Sequence, residues 1–136
     1  MVDVAYIALG SNIGDRAAYL ARARTALAAL PDSRIIAESS IEETEPLGPV
    51  AQEKYLNQMI ALETTLAPRA LLARLLEIEA AEGRARGLRW GPRTLDLDIV
   101  SFETQTVDDP DLHVPHTELA NRDFWRRELA ELREVS

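Results

Sequence analysis

The sequence predicts an α+β fold: an antiparallel sheet with two helices packed on one face and a further helix at the C-terminal end. Three observations lead to it. Apolar residues switch between a two-residue and a helical rhythm in the order strand, helix, strand, strand, helix, strand. The stretches between them are punctuated by glycine and proline rather than by long polar linkers. Finally, 136 residues without an internal repeat suit one domain, residues 1–136, whose core needs no covalent staple.

Each element has its own signal. Residues 2–9 are rich in β-formers and read as a strand ending at Gly10. Ser11-Asn12-Ile13-Gly14-Asp15 is turn chemistry, and Asp15 can cap a following helix. In that helix Tyr19, Leu20, Ala23, Leu27 and Leu30 recur at helical spacing, until Pro31 stops it. Arg34 to Ile41 reads as a second strand, whereas Glu42 to Lys54 holds Pro46, Gly48 and Pro49 and is expected to be irregular. Tyr55 to Leu66 alternates through Leu56, Ile60, Leu62 and Leu66 as a third strand. Pro68 suits the first turn of a second helix that turns Leu71, Leu72, Leu75 and Ile78 inward, with Gly83 as its stop. Residues 84–93 form a second irregular loop, and Thr94 to Phe102 a fourth strand. Trp125, Leu129 and Leu132, spaced i, i+4 and i+7, give the closing helix one apolar face. The order β-α-β-β-α-β is the ferredoxin-like split arrangement. With both helices on one face, the other is left for a ligand.

Composition narrows the chemistry. A net charge of −8 argues against a general nucleic-acid binder. Only Lys54 is a lysine, and Arg84, Arg86, Arg89 and Arg93 crowd into ten residues. Forked guanidinium groups suit phosphate, although a solvated loop explains the same cluster equally well on composition alone. The lack of cysteine excludes disulfides and thiolate metal sites and suits a reducing cytoplasm. No apolar run approaches the roughly 20 residues of a membrane span, and the start does not read as a signal peptide. A soluble, cytoplasmic protein acting on small molecules, without a nucleic-acid or membrane partner, is the expectation.

The most pointed feature is Leu95-Asp96-Leu97-Asp98-Ile99. A strand sends successive side chains to opposite faces, so the apolar three go to the core and the two aspartates share the open face. Their α-carbons would then stand about 6.5–7 Å apart. Such neighbours repel each other unless a cation sits between them, and aspartate is a poor strand former. Magnesium, which takes hard oxygen ligands and shares them with nucleotide phosphates, answers both points. The competing reading is a pair of solvated acids on an exposed sheet. The upstream arginines favour the first, because phosphate-binding cations and metal-binding carboxylates are the two halves of a phosphoryl-transfer site.

At this point the residues resemble a known family. Arg89-Trp90-Gly91-Pro92-Arg93-Thr94-Leu95-Asp96-Leu97-Asp98-Ile99 looks like the signature of the 6-hydroxymethyl-7,8-dihydropterin pyrophosphokinases. Ala5 to Asn12, Glu45-Pro46-Leu47-Gly48-Pro49 with Tyr55-Leu56-Asn57, and Val114-Pro115-His116 with Asn121-Arg122 resemble further family motifs. They occur in the family's order from about residue 4 to residue 124. The resemblance implies pyrophosphoryl transfer from ATP to the hydroxymethyl oxygen of the pterin, with release of AMP. It implies that Asp96 and Asp98 bind two magnesium ions, and that Arg84, Arg86 and Arg93 meet the phosphates. Glu79, Trp90, Ile99, His116 and Arg122 match positions around the nucleotide. On the pterin side, Asn57 would bond the ring edge with groups near Thr44 and Leu47, and Tyr55 and Phe124 would sandwich the ring. The loops at roughly 43–54 and 83–93 are where the family closes over its ligands. A monomer is expected.

The chain departs from the pattern in places. Leu76, Asp111 and His113 stand at nucleotide-side positions where some members carry other residue types. After Phe124 the family usually continues with an apolar stretch, where this chain has Trp125-Arg126-Arg127-Glu128-Leu129. A relative with a different pterin, a non-catalytic pterin or nucleotide binding module, and an RNA-binding domain on the same fold are the alternatives. The last lacks the aromatic pattern such sheets use.

Overall fold

A computed structural model of the chain describes residues 2–45, 54–83 and 94–135. Strand β1 (Asp3–Ser11) runs through the middle of the sheet, antiparallel to β4 (Tyr55–Thr64) on one side and β5 (Asp96–Phe102) on the other. Strands β2 (Ser33–Glu38) and β3 (Glu42–Thr44) both pair with β4, which gives the order β2-β4-β1-β5. This is the expected ferredoxin-like order. Helices α1 (Arg16–Ala28) and α2 (Pro68–Ala81) cover one face. There Ala5, Ile7 and Leu9 of β1, Ile60 and Leu62 of β4, and Leu97 and Ile99 of β5 bury against Leu20, Ala23, Leu27, Leu71 and Leu75. Each buried leucine or isoleucine contributes about 1.5–3 kcal/mol, so this layer supplies most of the favourable term.

The helix boundaries follow their sequence signals. The Asp15 carboxylate accepts the Ala18 amide at 3.1 Å and caps α1. Pro68 opens α2, and Gly83 beyond its end sits at φ +77°, which a side chain would resist. At the far end of β1 the buried Asp3 carboxylate accepts from the Val4 amide, the Thr104 hydroxyl and the Gln105 amide, at 2.8, 2.8 and 3.0 Å. Burial by itself would raise the Asp3 pKa, but these donors outweigh it and hold the carboxyl below its ordinary range.

Three features differ from the sequence reading. The first concerns the second face of the sheet, expected to be open. Helix α3 (Asp123–Val135) covers much of it, laying Trp125, Leu129 and Leu132 on Tyr6, Ala8, Met59, Ala61 and Val100. The small Ala8 and Ala61 leave room for it, and its amphipathic face demands such a partner. Second, β3 falls inside the stretch expected to be irregular, because Glu42, Glu43 and Thr44 find main-chain partners in Asn57, Leu56 and Tyr55. Third, a hairpin of β6 (Val107–Asp109) and β7 (Leu112–Val114) follows β5, with Pro110 and Asp111 at its turn. It buries Leu112 and Val114 in the helix-side core, and Arg69 of α2 bonds Asp109 and Asp111 at 2.9 and 2.6 Å. No helix among the described residues is long and apolar enough to cross a membrane.

Leu132 is fully buried on the α3 seam, whereas Leu76 is 51% exposed on α2. Leu132→Ala is expected to lower unfolding free energy by about 2–5 kcal/mol. Leu76→Ala should change it by no more than about 0.5 kcal/mol in the same urea titration. Equal effects would mean that α3 does not rest on the sheet.

Candidate active site

Antiparallel register decides which side chains meet. Gly10 of β1 lies opposite Asn57 of β4 and Asp96 of β5, and in the next row but one Ala8 lies between Met59 and Asp98. Directly opposed residues share a face, so Asn57, Gly10 and Asp96 form one row on the α3 side of the sheet. Strand β3 extends that row with Glu42 and sets Thr44 opposite Tyr55. The alternation therefore puts Asp96 and Asp98 on one face, as expected, and sends Leu97 and Ile99 to the other. The apolar seam under α3 includes Ala8, Met59 and Val100 but not the Asn57–Gly10–Asp96 row.

The middle of that row is bare by necessity. A Cβ on Gly10 would stand 3.2 Å from Asn57 Oδ1 and 3.3 Å from Tyr55 Cδ1. The glycine lets the amide and the ring lean over β1. Asn57 is itself buried, and its Nδ2 donates to Thr44 Oγ1, which fixes the plane of the amide. Asparagine is depleted in strands, and here it has a polar partner from the neighbouring strand.

On the other side the two aspartates are half-buried. The main-chain N–H of Leu97, between them, donates to Oε2 of the buried Glu79 at 2.7 Å. That bond satisfies an edge-strand donor and ties α2 to the segment carrying both carboxylates. Further along β5, the His116 amide donates to the Val100 carbonyl at 2.8 Å. His116 Nδ1 accepts the Glu118 amide at 3.0 Å, which leaves the hydrogen of the neutral ring on Nε2, 3.8 Å from Asp98 Oδ1. Burial, then the nearby positive charge of Arg122, pushes the His116 pKa down, against the opposing pull of Glu118 and Asp96. Trp125 seats both cationic-type residues. The His116 ring meets it edge-on at 4.9 Å, and the Arg122 guanidinium stands 4.3 Å over its face. Phe124, half-buried, lies 6.2 Å from the same ring.

The structure thus brings Asp96, Asp98, His116 and Arg122 together at one end of the strip, and Asn57, Thr44 and Tyr55 at the other. Phe124 enters from α3. Glu79 is committed to the Leu97 amide, and Ile99 is buried beneath the sheet, so only its main chain can face a nucleotide. Asp111 pairs with Arg69, and His113 Nδ1 lies 3.1 Å from Asp108. Leu47, Arg84, Arg86, Trp90 and Arg93, with most of both proposed closing loops, lie outside the described residues. Sequence reading placed Gly10 only as a strand end and Trp125 only as core. The first was legible from Gly10 ending a run of β-formers, the second from its place beside Phe124.

Among the described residues no three His, Asp or Glu side chains converge as a closed metal cage. Two half-buried carboxylates on one face are instead an oxygen-only, incomplete donor set. That fits magnesium, which usually takes one or two carboxylates and completes its shell with water and phosphate.

The family model for 7,8-dihydro-6-hydroxymethylpterin-pyrophosphokinase matches residues 6–134. The chain belongs to this pyrophosphokinase family. A 2-amino-4-hydroxy-6-hydroxymethyldihydropteridine pyrophosphokinase of Pseudomonas aeruginosa is 45% identical over 97% of the chain and 82% of the relative. Those of Methylorubrum extorquens and Bacillus subtilis are 46% and 43% identical, over 94% and 97% of the chain and 81% and 79% of each relative. In this pyrophosphokinase-family chain the Glu79–Leu97 bond is open to a direct test. Glu79→Ala strands a main-chain donor and is expected to lower unfolding free energy by about 1–3 kcal/mol. Glu79→Gln keeps an acceptor and should recover most of that loss in the same denaturant titration.

Proposed function

We propose that this chain transfers a pyrophosphoryl group from ATP to the hydroxymethyl oxygen of 6-hydroxymethyl-7,8-dihydropterin in folate biosynthesis, releasing AMP. The observation that carries the reading is the strip itself. Two carboxylates stand at one end, a fixed asparagine amide and an aromatic ring stand at the other, and the bare Gly10 lies between.

The residues divide the work. Asn57 and Thr44, with main-chain groups near Leu47, hold the polar edge of the pterin. Tyr55 and Phe124 take its two faces, as aromatic rings do for flat heterocycles. Asp96 and Asp98 hold magnesium, two ions in our reading, whose charge when bound offsets that of the phosphate oxygens. His116, with its Nε2 hydrogen toward Asp98, steadies that carboxylate or a phosphate oxygen beside it. Arg122 adds a fixed positive charge, and Arg84, Arg86 and Arg93 meet the phosphates. Arg93 precedes Asp96 by three residues in the sequence. Glu79 keeps the aspartate-bearing segment in position, while Trp90 and the main chain at Ile99 border the nucleotide.

In the transfer, the hydroxymethyl oxygen forms a bond to the β-phosphorus as the bond to the oxygen bridging the α- and β-phosphorus breaks. AMP leaves with that oxygen, and the hydroxyl proton passes to solvent. No covalent enzyme intermediate is needed. Rate comes from alignment and from donors already in place around the developing charge. A monomer is our reading, and the cysteine-free composition supports a cytoplasmic setting.

Product analysis decides. With ATP, magnesium and the pterin, AMP should appear in step with pterin diphosphate, whereas ADP would mean ordinary phosphoryl transfer. Asp98→Ala is expected to abolish turnover and leave the melting temperature within a few degrees, since the carboxylate faces the strip rather than the core. Gly10→Ala should fold normally yet weaken pterin binding about tenfold or more, roughly 1.4 kcal/mol, in a fluorescence titration. Unchanged affinity would put the pterin elsewhere.

A further inference from the structure

One buried acid has no part in the chemistry above. Glu128 lies on the sheet-facing side of α3 at 2% exposure, and neither carboxyl oxygen makes a well-formed hydrogen bond. A buried ionised carboxylate without a donor is costly. Another acid, Glu42 of β3, neighbours it and interacts with it. Arg127 of α3 reaches over to the same acid, its Nη2 donating to Glu42 Oε1 at 3.2 Å. Burial beside a second acid favours the neutral form of Glu128.

The location gives the pair a use. Glu42 ends the row that runs through Asn57, Gly10 and Asp96, and Thr44, which bonds the Asn57 amide, is two residues further along β3. Phe124 stands one helical turn before Glu128 on α3. The seam between β3 and α3 therefore joins the polar-edge wall of the pterin site to one of its aromatic walls. We infer that Glu128 is a positioning residue of that site: as a neutral acid it donates to Glu42, closes the seam, and so sets Phe124 relative to Asn57 and Thr44. This rests on the pterin reading of the strip.

The pair also makes the seam sensitive to pH. Burial, then the charge of Glu42 and its acceptance of the proton, pushes the Glu128 pKa up to about 8, with Arg127 opposing and Glu131 reinforcing. Among the described residues these are the charged groups that act on it most strongly. The core side of the seam includes Ala37, Met59 and Ala61, and Glu131 is occupied by the Ser40 amide and hydroxyl at 3.0 and 3.1 Å. Because the folded value lies above the ordinary 4.5, the stabilisation from the bound proton is full at acid pH and is lost as pH rises to about 8. Beyond that, two carboxylates repel across the seam.

The test is a fluorescence titration of 6-hydroxymethyl-7,8-dihydropterin into the full chain with magnesium and α,β-methylene-ATP, which prevents transfer. It is run between about pH 6.5 and about pH 9.5, on either side of the Glu128 ionisation. The unmodified chain should lose affinity by roughly three- to tenfold more than E128Q over that range, a coupling of the size found between contacting residues. E128Q keeps a neutral donor, so it should match the unmodified chain near pH 6.5. E42Q removes the charge that faces the acid and should likewise flatten the profile. Melting curves over the same range provide a readout independent of pterin. There E128Q should become progressively more stable than the unmodified chain as pH rises. Parallel affinity profiles for the unmodified chain and E128Q would overturn the inference, even if the melting curves diverged, because the pair would then only hold the fold together. Absence of pterin binding by the unmodified chain at every pH would instead overturn the pterin reading, and the inference with it.

Discussion

The register of β1 against its two neighbours is the constraint on which the rest of the molecule depends. A strand's side chains alternate with a period of two, so a slip of one residue on either side would turn every row over. Asp96 would then enter the helix-side core and Leu97 would meet solvent. What prevents this is the apolar set beneath: Ile7, Leu9, Ile60, Leu62, Leu97 and Ile99 all bury against α1 and α2. The core thus fixes the site from below. At the opposite end of β1, the Asp3 carboxylate gathers donors from Val4, Thr104 and Gln105, binding the strand to the chain that leaves β5. The strip sits between a greasy lock underneath and a polar lock at its far end.

Polar groups on the strip are costly for a sheet, and the fold offsets several of them locally. Asn57 is held by Thr44, the Leu97 amide by Glu79, and His116 by the Val100 carbonyl and the Glu118 amide. None of these bonds needs a ligand. The side chains that would meet substrate are already fixed by partners behind them, which keeps the ordering cost low when the ligand arrives. Glu128 differs from these, since neither of its buried carboxyl oxygens has a hydrogen-bond partner. Its burial is offset by a proton rather than by a donor, so it is the place where solution conditions can reach the site's geometry.

Much of this was legible in the residues. The alternation in Leu95 to Ile99 correctly gave the facing of Asp96 and Asp98, because apolar-polar alternation and burial on one side are the same physical statement. Asp15 as a cap, Pro68 as a start and Gly83 as a stop were legible for a similar reason: each acts on backbone atoms a few residues away. What could not be read was pairing at a distance. Glu42 to Thr44 is too short and too polar to announce a strand, and becomes one only because β4 extends past β2 and offers main-chain partners. The β6–β7 hairpin depends on Arg69, some forty residues earlier, meeting Asp109 and Asp111. The facing of Glu128 was invisible as well. Nothing in Trp125-Arg126-Arg127-Glu128-Leu129 says that an acid will turn inward, since the apolar i, i+4, i+7 stripe leaves the charged positions formally free.

Helix α3 links these threads. An open sheet face would expose Tyr6, Met59 and Val100 to water, and a helix covering the face completely would bury the aspartates. The observed compromise places Trp125, Leu129 and Leu132 over the apolar rows and ends the cover at Trp125 and Phe124. The same aromatic pair that closes the core therefore forms the border of the strip. Trp125 turns one face to the Arg122 guanidinium and meets the edge-on ring of His116, converting a packing residue into the seat of two polar ones. Stability and function meet at that residue: the apolar surface that α3 must bury also sets where Asp98 finds its histidine.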